Sequence, residues 1–365
     1  MTRERLVVIG PVPPPCHGVT VSTSLVLENP VLRKRFAVEH VDTSDHRERA
    51  NIGKWDITNV LLGIKGLATL AWRLRRRRGV VYLPLSQNAP AFLRDSLLIW
   101  AASARGWKMA VHLRGSDFKS FYDAANPLLR RWIRWTLRRV DSVAVMGRSL
   151  TWVFDGLVPS ERIAVVANGT PAPPPVNVSR DPEHVLFLSN LRRRKGVVEA
   201  LEAARLVLPE RPGARFSFVG SWEDPVLEEE LRLRAAAFDA SIDFRRPVEG
   251  QEKAELLASA AVLLFPPVEP EGHPRVVLEA MASGLAIVTT DRGAIRETVV
   301  NGESGFVLPN PVPAELADRV LTLLDDTELR ERIARGARTR YLEHFTQDHA
   351  DRRLADWLSS VAEGS

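Results

Sequence analysis

The sequence predicts an α/β protein built from two domains, each containing a parallel β-sheet. Short apolar runs alternate with helical stretches along both halves of the 365-residue chain. The runs are continuous in their hydrophobicity, which is typical of parallel strands that helices cover on both faces. The length is large for one hydrophobic core and suits two domains of ordinary size.

The apolar runs define the predicted strands. Those of the first half occupy residues 6–10, 80–85, 109–113, 142–146 and 163–166. Those of the second half occupy residues 185–189, 216–220, 242–244, 261–266, 286–290 and 306–309. Between the halves, the proline-rich segment TPAPPPVNVSRDP interrupts all periodicity, as an exposed linker does. We therefore expect an N-terminal domain at 1–172, a linker at 173–182 and a C-terminal domain at 183–345.

The composition is that of a packed globular protein, with 45% hydrophobic and 26% charged residues. Cys16 is the single cysteine, so the chain forms no internal disulfide and offers no zinc cluster, which points to a reducing compartment. The N-terminal stretch MTRERLVVIG contains no apolar segment of signal-peptide length. A cytoplasmic protein is expected.

The basic balance, a net charge of +5 and a pI near 9.6, suits nucleic acid, a membrane surface or anionic substrates alike. Its sharpest run is RLRRRR at 73–78, directly after an apolar stretch at 57–72 that is shorter than the roughly 20 residues of a membrane span. This pair of segments fits an amphipathic surface lying on an anionic membrane, and it equally fits a solvated face. A second basic, tryptophan-bearing helix is predicted at 128–140.

Two carboxylates, Glu271 and Glu279, stand eight positions apart around a predicted loop-to-helix junction in EGHPRVVLEAMASG. Gly272 permits a sharp turn, and Pro274 suits the first position of a helix, where no backbone N–H is needed. The helix should therefore begin near Pro274.

The start of that helix is a predicted anion site. Its opening amides, including those of Arg275 and Val276, should point toward whatever Glu271 and His273 face. Glu279 would lie about 7 Å further along the axis, among apolar neighbours where a carboxylate needs partners. A nucleoside diphosphate would satisfy both groups, with its phosphates at the helix start and its ribose hydroxyls donating to Glu279. The alternative is a core helix with a capping carboxylate at one end.

This stretch resembles the E-x7-E signature of family 4 glycosyltransferases, whose usual form is E-G-F-G/P, four variable residues, then E-A-M-A-S/C-G. The resemblance covers most of the chain, being strongest over 185–309 and loose before residue 80. It implies the GT-B fold, two Rossmann-like domains with parallel sheets facing across a cleft, and retaining transfer from a nucleotide sugar. It also implies that a C-terminal helix at about 346–365 packs back onto the N-terminal domain.

Lys195 and its neighbours carry the second part of the resemblance. Family 4 enzymes usually read G-R-L, three variable residues, then K-G, where Arg and Lys neutralise the leaving diphosphate. Here Lys195 matches, but Asn190 occupies the arginine position. Arg192, Arg193 or Arg194 would replace the missing charge, or this loop is simply solvated.

Two further residues of the N-terminal half are candidates. Gly18 precedes a predicted helix and lets backbone approach a ligand closely, whereas His17 stands where related enzymes often carry a first glycine. His112 ends a predicted strand, a position at which the family's histidine faces the donor sugar or the reacting centre. A histidine hydrogen-bonded inside the sheet edge is the alternative.

The function implied is a hexosyl- or related transferase that moves a sugar from a nucleotide-diphosphate sugar to an acceptor in glycan or glycolipid biosynthesis. Lys195 would stabilise charge on the leaving phosphate, Glu271 would orient donor-sugar hydroxyls, and His112 would complete the catalytic group. Neither a metal nor a cofactor is expected, and the enzyme would be cytoplasmic, possibly peripheral on the inner membrane face.

Other functions remain open at this stage. A nucleotide-sugar 2-epimerase shares the architecture, and a small soluble acceptor could replace the lipid-linked one. A non-enzymatic basic module that binds membrane or RNA would leave Glu271 and Glu279 unexplained, and the sequence contains no recognised RNA-binding motif, so no nucleic-acid partner is expected. No pattern in the sequence identifies the nucleotide base, the sugar, the acceptor, the linkage or the oligomeric state.

Overall fold

The structure, a computed structural model, describes residues 3–14, 18–44, 69, 72–75, 78–238 and 240–364. It divides into two compact units, the first comprising residues 1–167 and 348–365 and the second residues 168–347. Most of the apolar stretch at 57–72 lies outside the described residues, and so do residues 76 and 77 of the arginine run at 73–78. No helix in the described ranges is long and apolar enough to cross a membrane.

The first unit contains a six-stranded parallel sheet in the order β2-β1-β3-β4-β5-β6. Its strands are β1 (Glu4–Gly10), β2 (Phe36–Asp42), β3 (Gly79–Pro84), β4 (Lys108–His112), β5 (Ser142–Val145) and β6 (Ile163–Val165). Five of the six match the predicted apolar runs. The prediction missed β2, whose sequence FAVEHVD mixes charged and apolar residues because β2 is an edge strand, paired only with β1.

Six of the described α-helices belong to the first unit, one of them at the end of the chain. They are α1 (Gly18–Glu28), α2 (Pro30–Arg35), α3 (Ala89–Ser103), α4 (Phe118–Ala124), α5 (Pro127–Leu137), and, from the C-terminus, α13 (Gln347–Glu363), with a 3-10 segment at Arg148–Phe154. Prolines follow the Asn caps of α2 and α5, and each Asn side chain accepts backbone N–H bonds at its helix start.

The C-terminal helix α13 packs on the first sheet. Leu354, Trp357 and Leu358 are buried in one cluster with residues of β1, β3 and β4. Trp357 also donates from its indole Nε1 to the Ser142 hydroxyl at 2.8 Å and meets the Tyr82 ring edge-on at 6.2 Å. Such an aromatic pair adds roughly 0.5–1.5 kcal/mol to the free energy gained by burial. The predicted apolar stripe of the last helix is therefore part of the core of the first unit.

The second unit contains another six-stranded parallel sheet, in the order β12-β11-β10-β7-β8-β9. Its strands are β7 (His184–Leu188), β8 (Arg215–Val219), β9 (Ile242–Arg245), β10 (Val262–Phe265), β11 (Ala286–Thr290) and β12 (Phe306–Leu308). All six match predicted runs. The central strands are wholly buried, which explains why their hydrophobicity is continuous.

Helices cover this second sheet on both faces, as the βα alternation predicts. They are α6 (Val197–Glu210), α7 (Pro225–Ala235), α8 (Gly250–Ser259), α9 (Arg275–Ser283), α10 (Ile295–Thr298), α11 (Pro313–Asp325) and α12 (Thr327–His344). Their apolar faces and the strands form one continuous core cluster.

The predicted linker at 173–182 lies within the second unit, and the change of unit falls instead between residues 167 and 168. Arg180 explains part of this difference: its guanidinium donates to the carbonyls of Ser283, at 2.7 Å, and Gly284, at the end of α9. The Asp181 amide donates to the Ser259 carbonyl at 2.8 Å. Proline content predicted the loss of regular structure correctly, but it gave no sign of these backbone contacts.

Candidate active site

The strand order of the second sheet reverses between β7 and β10, which lie side by side although they are far apart in the chain. In open parallel sheets, ligands bind beyond the carboxyl ends of the strands at such a reversal. The loop that follows β7 carries Lys195, and the loop that follows β10 carries Glu271. The two residues singled out from the sequence therefore flank the position where this fold binds ligands.

Gly196 allows the two loops to approach each other. A 3-10 turn at Arg193–Lys195 ends at Gly196, whose φ of +80° is in the left-handed region. A Cβ at this position would overlap the carbonyl oxygen of Pro266, the first residue after β10. Glycine is thus required twice, by the backbone angle and by the space.

Lys195 and Glu271 form a closely held ion pair. The lysine Nζ lies 2.6 Å from Oε1 and 2.8 Å from Oε2 of the carboxylate. Only 8% of the Glu271 surface is exposed, so the carboxylate needs a partner of this kind. The ammonium has three N–H donors, and a two-oxygen contact leaves at least one of them for another anion.

The loop containing Glu271 is fixed from behind by the segment after β11. The Thr290 hydroxyl donates to the Pro267 carbonyl at 2.6 Å. Gly293 has a φ of +61°, and a Cβ there would overlap the carbonyl oxygen of Glu271. The Ala294 amide donates weakly to the carbonyls of Glu271 and Gly272, at 3.4 and 3.3 Å. The backbone that carries the carboxylate is therefore held by neighbouring main chain.

His273 is an anchor within the second unit. Its Nδ1 accepts from the Asn168 amide at 2.9 Å, so the proton of the neutral ring is on Nε2, which lies 2.8 Å from the Thr298 hydroxyl. Its carbonyl accepts from the Asn168 side chain at 2.9 Å. Both ring nitrogens are thus engaged by protein, and contact between His273 and an anion stays a prediction. The imidazole holds the segment that begins at Asn168.

The helix α9 begins at Arg275, one residue later than predicted. Pro274 is the residue that precedes the helix, with an extended ψ of 121°, and it provides no side-chain hydrogen bond to the first amides. The Arg275 guanidinium donates to the Gly169 carbonyl at 3.3 Å, and Val276 packs partly buried against the core. Because the first turn starts next to Glu271, its N–H groups lie where an anion would be stabilised.

Glu279, on the same helix, has a partner that the sequence did not reveal. Its Oε2 lies 2.6 Å from Nζ of Lys253, on α8. Both side chains are partly exposed, at 20% and 30% respectively. No motif links these positions, and only the packing of α8 beside α9 brings them together. The expected need of Glu279 for a partner is met, with one carboxylate oxygen left for another donor.

The arginines near Lys195 are each paired with carboxylates. Arg192 lies 2.8 Å from Glu223, Arg193 pairs with Glu230, and Arg194 lies 3.3 Å from Glu269. Asn190, at the position of the family arginine, accepts from the Ser221 hydroxyl at 2.9 Å. Phosphate contact by Arg192 or Arg193 would thus compete with these ion pairs, and it stays a prediction.

His112, in the first unit, is completely buried at the end of β4. Burial, reinforced by the Arg114 cation, holds its pKa well below the usual 6.5, while a hydrogen bond with the Val166 backbone opposes the shift. Its Nδ1 lies 3.2 Å from the Tyr82 hydroxyl, which accepts from Arg114 at 2.8 Å. The ring is therefore neutral and part of a polar chain inside the sheet, and its catalytic role remains a prediction.

Gly18 is the first residue of α1, and a Cβ there would meet nothing within 4 Å in the described residues. Space alone therefore does not require glycine at this position, and close approach of a ligand stays a prediction. His17 and Cys16 lie outside the described residues. No group of three or more His, Cys, Asp or Glu residues suited to holding a metal ion occurs in the part of the chain that is described.

Two parallel α/β sheets, the second with a lysine–carboxylate ion pair beyond the reversal of its strand order, define a protein of the open parallel α/β class. Residues 172–340 match the family model for glycosyl transferases group 1. The structure of Anabaena Alr3699/HepE in complex with UDP and glucose has a similar fold, with a TM-score of 0.74, 18% identity, and coverage of 98% of this chain and 100% of that one.

Curated relatives agree with the family match. The chain is 30% identical to a phosphatidyl-myo-inositol mannosyltransferase of Mycobacterium leprae over 68% of its own length and 66% of the relative. It is 29% identical to a putative colanic acid biosynthesis glycosyltransferase, WcaL of Escherichia coli, over 56% of its length and 52% of the relative. The chain thus aligns with half to two thirds of these proteins. Residues 172–340 therefore form a group 1 glycosyltransferase domain, and the chain has the fold of the GT-B glycosyltransferases.

Proposed function

We propose that this protein transfers a hexose from a nucleotide-diphosphate sugar to an acceptor hydroxyl and retains the anomeric configuration, as family 4 enzymes do. The observation that carries the proposal is the Lys195–Glu271 pair beyond the strand-order reversal, next to the start of α9. The group 1 domain and the named UDP complex of the structurally similar Alr3699/HepE support a nucleotide-sugar donor.

Each part of the donor has a group suited to it. The remaining N–H of Lys195 and the first amides of α9 would donate to the diphosphate. The free oxygen of Glu279 would accept from the ribose hydroxyls, while Lys253 holds the other oxygen. Glu271, with lone pairs left beside its lysine contact, would orient hydroxyls of the sugar.

The chemical step requires charge stabilisation more than a side-chain base. The bond between the anomeric carbon and the diphosphate oxygen breaks as the acceptor oxygen bonds to the same face of the sugar. The acceptor proton passes to the departing diphosphate. Lys195 and the α9 amides stabilise the negative charge that grows on this leaving group, so the reaction would proceed without a metal ion.

The acceptor is proposed to be a glycan or lipid-linked glycan at the inner face of a membrane, which the protein would contact peripherally. The support is that one relative is named as a phosphatidyl-myo-inositol mannosyltransferase and another is assigned to colanic acid biosynthesis. The first of these names describes transfer of mannose to a phospholipid.

A thermal-shift screen of UDP-, GDP- and ADP-sugars tests the donor site first. The expected result is stabilisation by one nucleotide class, because a ligand that binds the folded state alone raises the unfolding temperature. Incubation of that donor with membrane extract in EDTA should then yield a glycoside whose anomeric configuration, measured by NMR, equals that of the donor. Inversion, a requirement for Mg²⁺ or Mn²⁺, or epimerisation of the donor alone would contradict the proposal.

A further inference from the structure

The solvent-facing side of α5 combines exposed apolar residues with arginines. Leu128, Arg131, Trp135 and Arg138 follow one another at intervals of three and four positions, so they lie along one side of the helix. Leu128 is 81% exposed and Trp135 is 43% exposed. We call these four residues, with the neighbouring exposed Arg134, the α5 face.

Among the residues that the structure describes, none is an acidic partner of the arginines of the α5 face. The sequence from residue 124 to residue 140 contains five arginines and neither Asp nor Glu. Within the ranges that the structure describes, no ion pair joins any of these five to a carboxylate, and Arg134 donates instead to the Tyr122 hydroxyl at 2.5 Å. Arginines of the second unit, such as Arg232 and Arg335, pair with glutamates one helical turn away. The α5 face therefore has uncompensated positive charge.

The face is also held rigidly. Trp132 stacks on Trp100 of α3, with ring centroids 5.9 Å apart, and donates from its indole to the Ser96 hydroxyl at 2.8 Å. Ile133 and Leu137 are buried beneath the helix. The ring of Trp135 packs against Trp132 and Trp100, with centroid distances of 5.3 and 3.3 Å, and 43% of the Trp135 surface stays exposed. The exposed residues are thus presented on a firmly packed helix.

This combination fits an anionic phospholipid surface. Leu128 and Trp135 can enter the boundary between headgroups and acyl chains, while guanidinium groups beside them bind lipid phosphates. Single-stranded RNA would also attract the arginines, but base stacking needs an open ring face, and Trp135 is partly covered by Trp132. An exposed leucine on a convex helix would bury little apolar surface against RNA, whereas it would bury more in a lipid layer.

We propose that the α5 face docks the first unit on an anionic membrane surface. The inference rests on the membrane contact in the proposed function and assigns that contact to α5 rather than to the arginine run at 73–78. It does not depend on transferase activity, since Lys195, Glu271 and Glu279 all belong to the other unit.

Vesicle co-sedimentation at low salt tests the proposal. Wild-type protein should bind phosphatidylcholine vesicles that contain phosphatidylglycerol, and it should bind pure phosphatidylcholine weakly. The double variant Arg131→Ser/Arg138→Ser should lose about 30-fold in partitioning, since each arginine near an anionic surface contributes about 1 kcal/mol and 1.4 kcal/mol equals tenfold. Leu128→Ser should weaken the binding that remains at high salt, where the electrostatic part is screened.

The matched control is Arg232→Ser/Arg335→Ser, which removes the same charge from exposed positions of the second unit and should bind vesicles like the wild type. Unfolding temperatures should be unchanged in all three variants, because every altered side chain is exposed. If the wild type ignores anionic vesicles, both the membrane contact and the α5 proposal fail. If the wild type binds but Arg131→Ser/Arg138→Ser binds vesicles equally well, the assignment to α5 fails while the transferase proposal stands. The same holds if the double variant loses affinity for single-stranded RNA, measured by filter binding, but keeps its affinity for vesicles.

Discussion

Lys195 and Glu271, which are 76 positions apart in the sequence, are joined by a contact in which one ammonium nitrogen lies within 2.8 Å of both carboxylate oxygens. The pair connects the loop after β7 to the loop after β10, and Gly196 removes the side chain that would keep these loops apart. The positive charge therefore has a fixed position beside the first turn of α9. A fixed cation stabilises a developing anion without having to reorganise during the reaction.

Lys195→Ala should reduce kcat by roughly 10²–10³-fold, the usual effect of removing one preorganised donor at a developing charge. The KM for the donor should change little, because charge on the diphosphate grows toward the transition state. Steady-state kinetics measures both. A change in KM with kcat preserved would place Lys195 in ground-state binding instead. Since Lys195→Ala also leaves the Glu271 carboxylate without its lysine, the unfolding temperature of the variant shows whether the local structure is preserved.

Glu279→Ala should weaken nucleotide-sugar binding by about 1.5–3 kcal/mol, the contribution of hydrogen bonds to a charged acceptor. Titration calorimetry of the donor measures the loss, and the unfolding temperature shows whether the fold is intact. Unchanged affinity in a folded variant would remove Glu279 from the donor site.

Lys253→Met should raise the KM for the donor a few-fold and leave kcat unchanged, because the lysine acts by holding Glu279. The pair is partly exposed, and such ion pairs contribute roughly 0.2–1 kcal/mol. Lys253→Arg keeps the charge and should restore most of the affinity. An effect of Lys253→Met that persists in the Glu279→Ala background would show that Lys253 acts independently of the carboxylate.

Gly196→Ala should destabilise the second unit strongly. A left-handed backbone costs a residue with a Cβ about 1–2 kcal/mol, and the overlap with Pro266 adds to this. Gly213→Ala is the matched control, because a Cβ there would meet nothing within 4 Å. Thermal unfolding should separate the two variants clearly. Equal unfolding temperatures would mean that the loops after β7 and β10 are not packed as described.

The stability of the protein should fall as the pH drops below 6.5, and His112 should contribute to the loss. Burial lowers the folded-state pKa of His112 below 6.5, so the unfolded chain binds a proton in this range that the folded chain does not. The contribution is complete above 6.5 and is lost as the pH falls toward the folded-state pKa. Unfolding temperatures measured from pH 7.5 downward should decline less in His112→Asn than in the wild type. Buried His184 shifts in the same direction, so only the difference between the two proteins reports on His112.

The sequence predicted most of the fold because strands buried on both faces have continuous apolar runs. Eleven of the twelve described strands were found in this way, and the one missed, β2, is an edge strand whose charged residues hide the pattern. The position of the unit boundary was harder to predict from the sequence. Proline content indicates irregular backbone, but it does not indicate which part of the protein that backbone packs against.

In the candidate site, the sequence predicted the residues that belong to a local motif. It did not predict their partners, which only the packing of the chain brings close. Glu271 and Lys195 were found through spacing and resemblance, whereas the contact between them depends on the neighbouring positions of β7 and β10. Lys253 had no local signal at all. The sequence also gave no sign of the partners of His273, because Asn168 and Thr298, which engage both ring nitrogens, are distant in sequence.

The return of α13 to the first unit has a consequence for biosynthesis. The ribosome makes residues 348–364 only after the whole of the second unit, so a nascent chain presents the β1–β3–β4 face of the first sheet without the covering provided by Trp357 and Leu358. The second unit, by contrast, is continuous in sequence and can fold as soon as it emerges. The half of the protein that is translated first is therefore the half that is finished last.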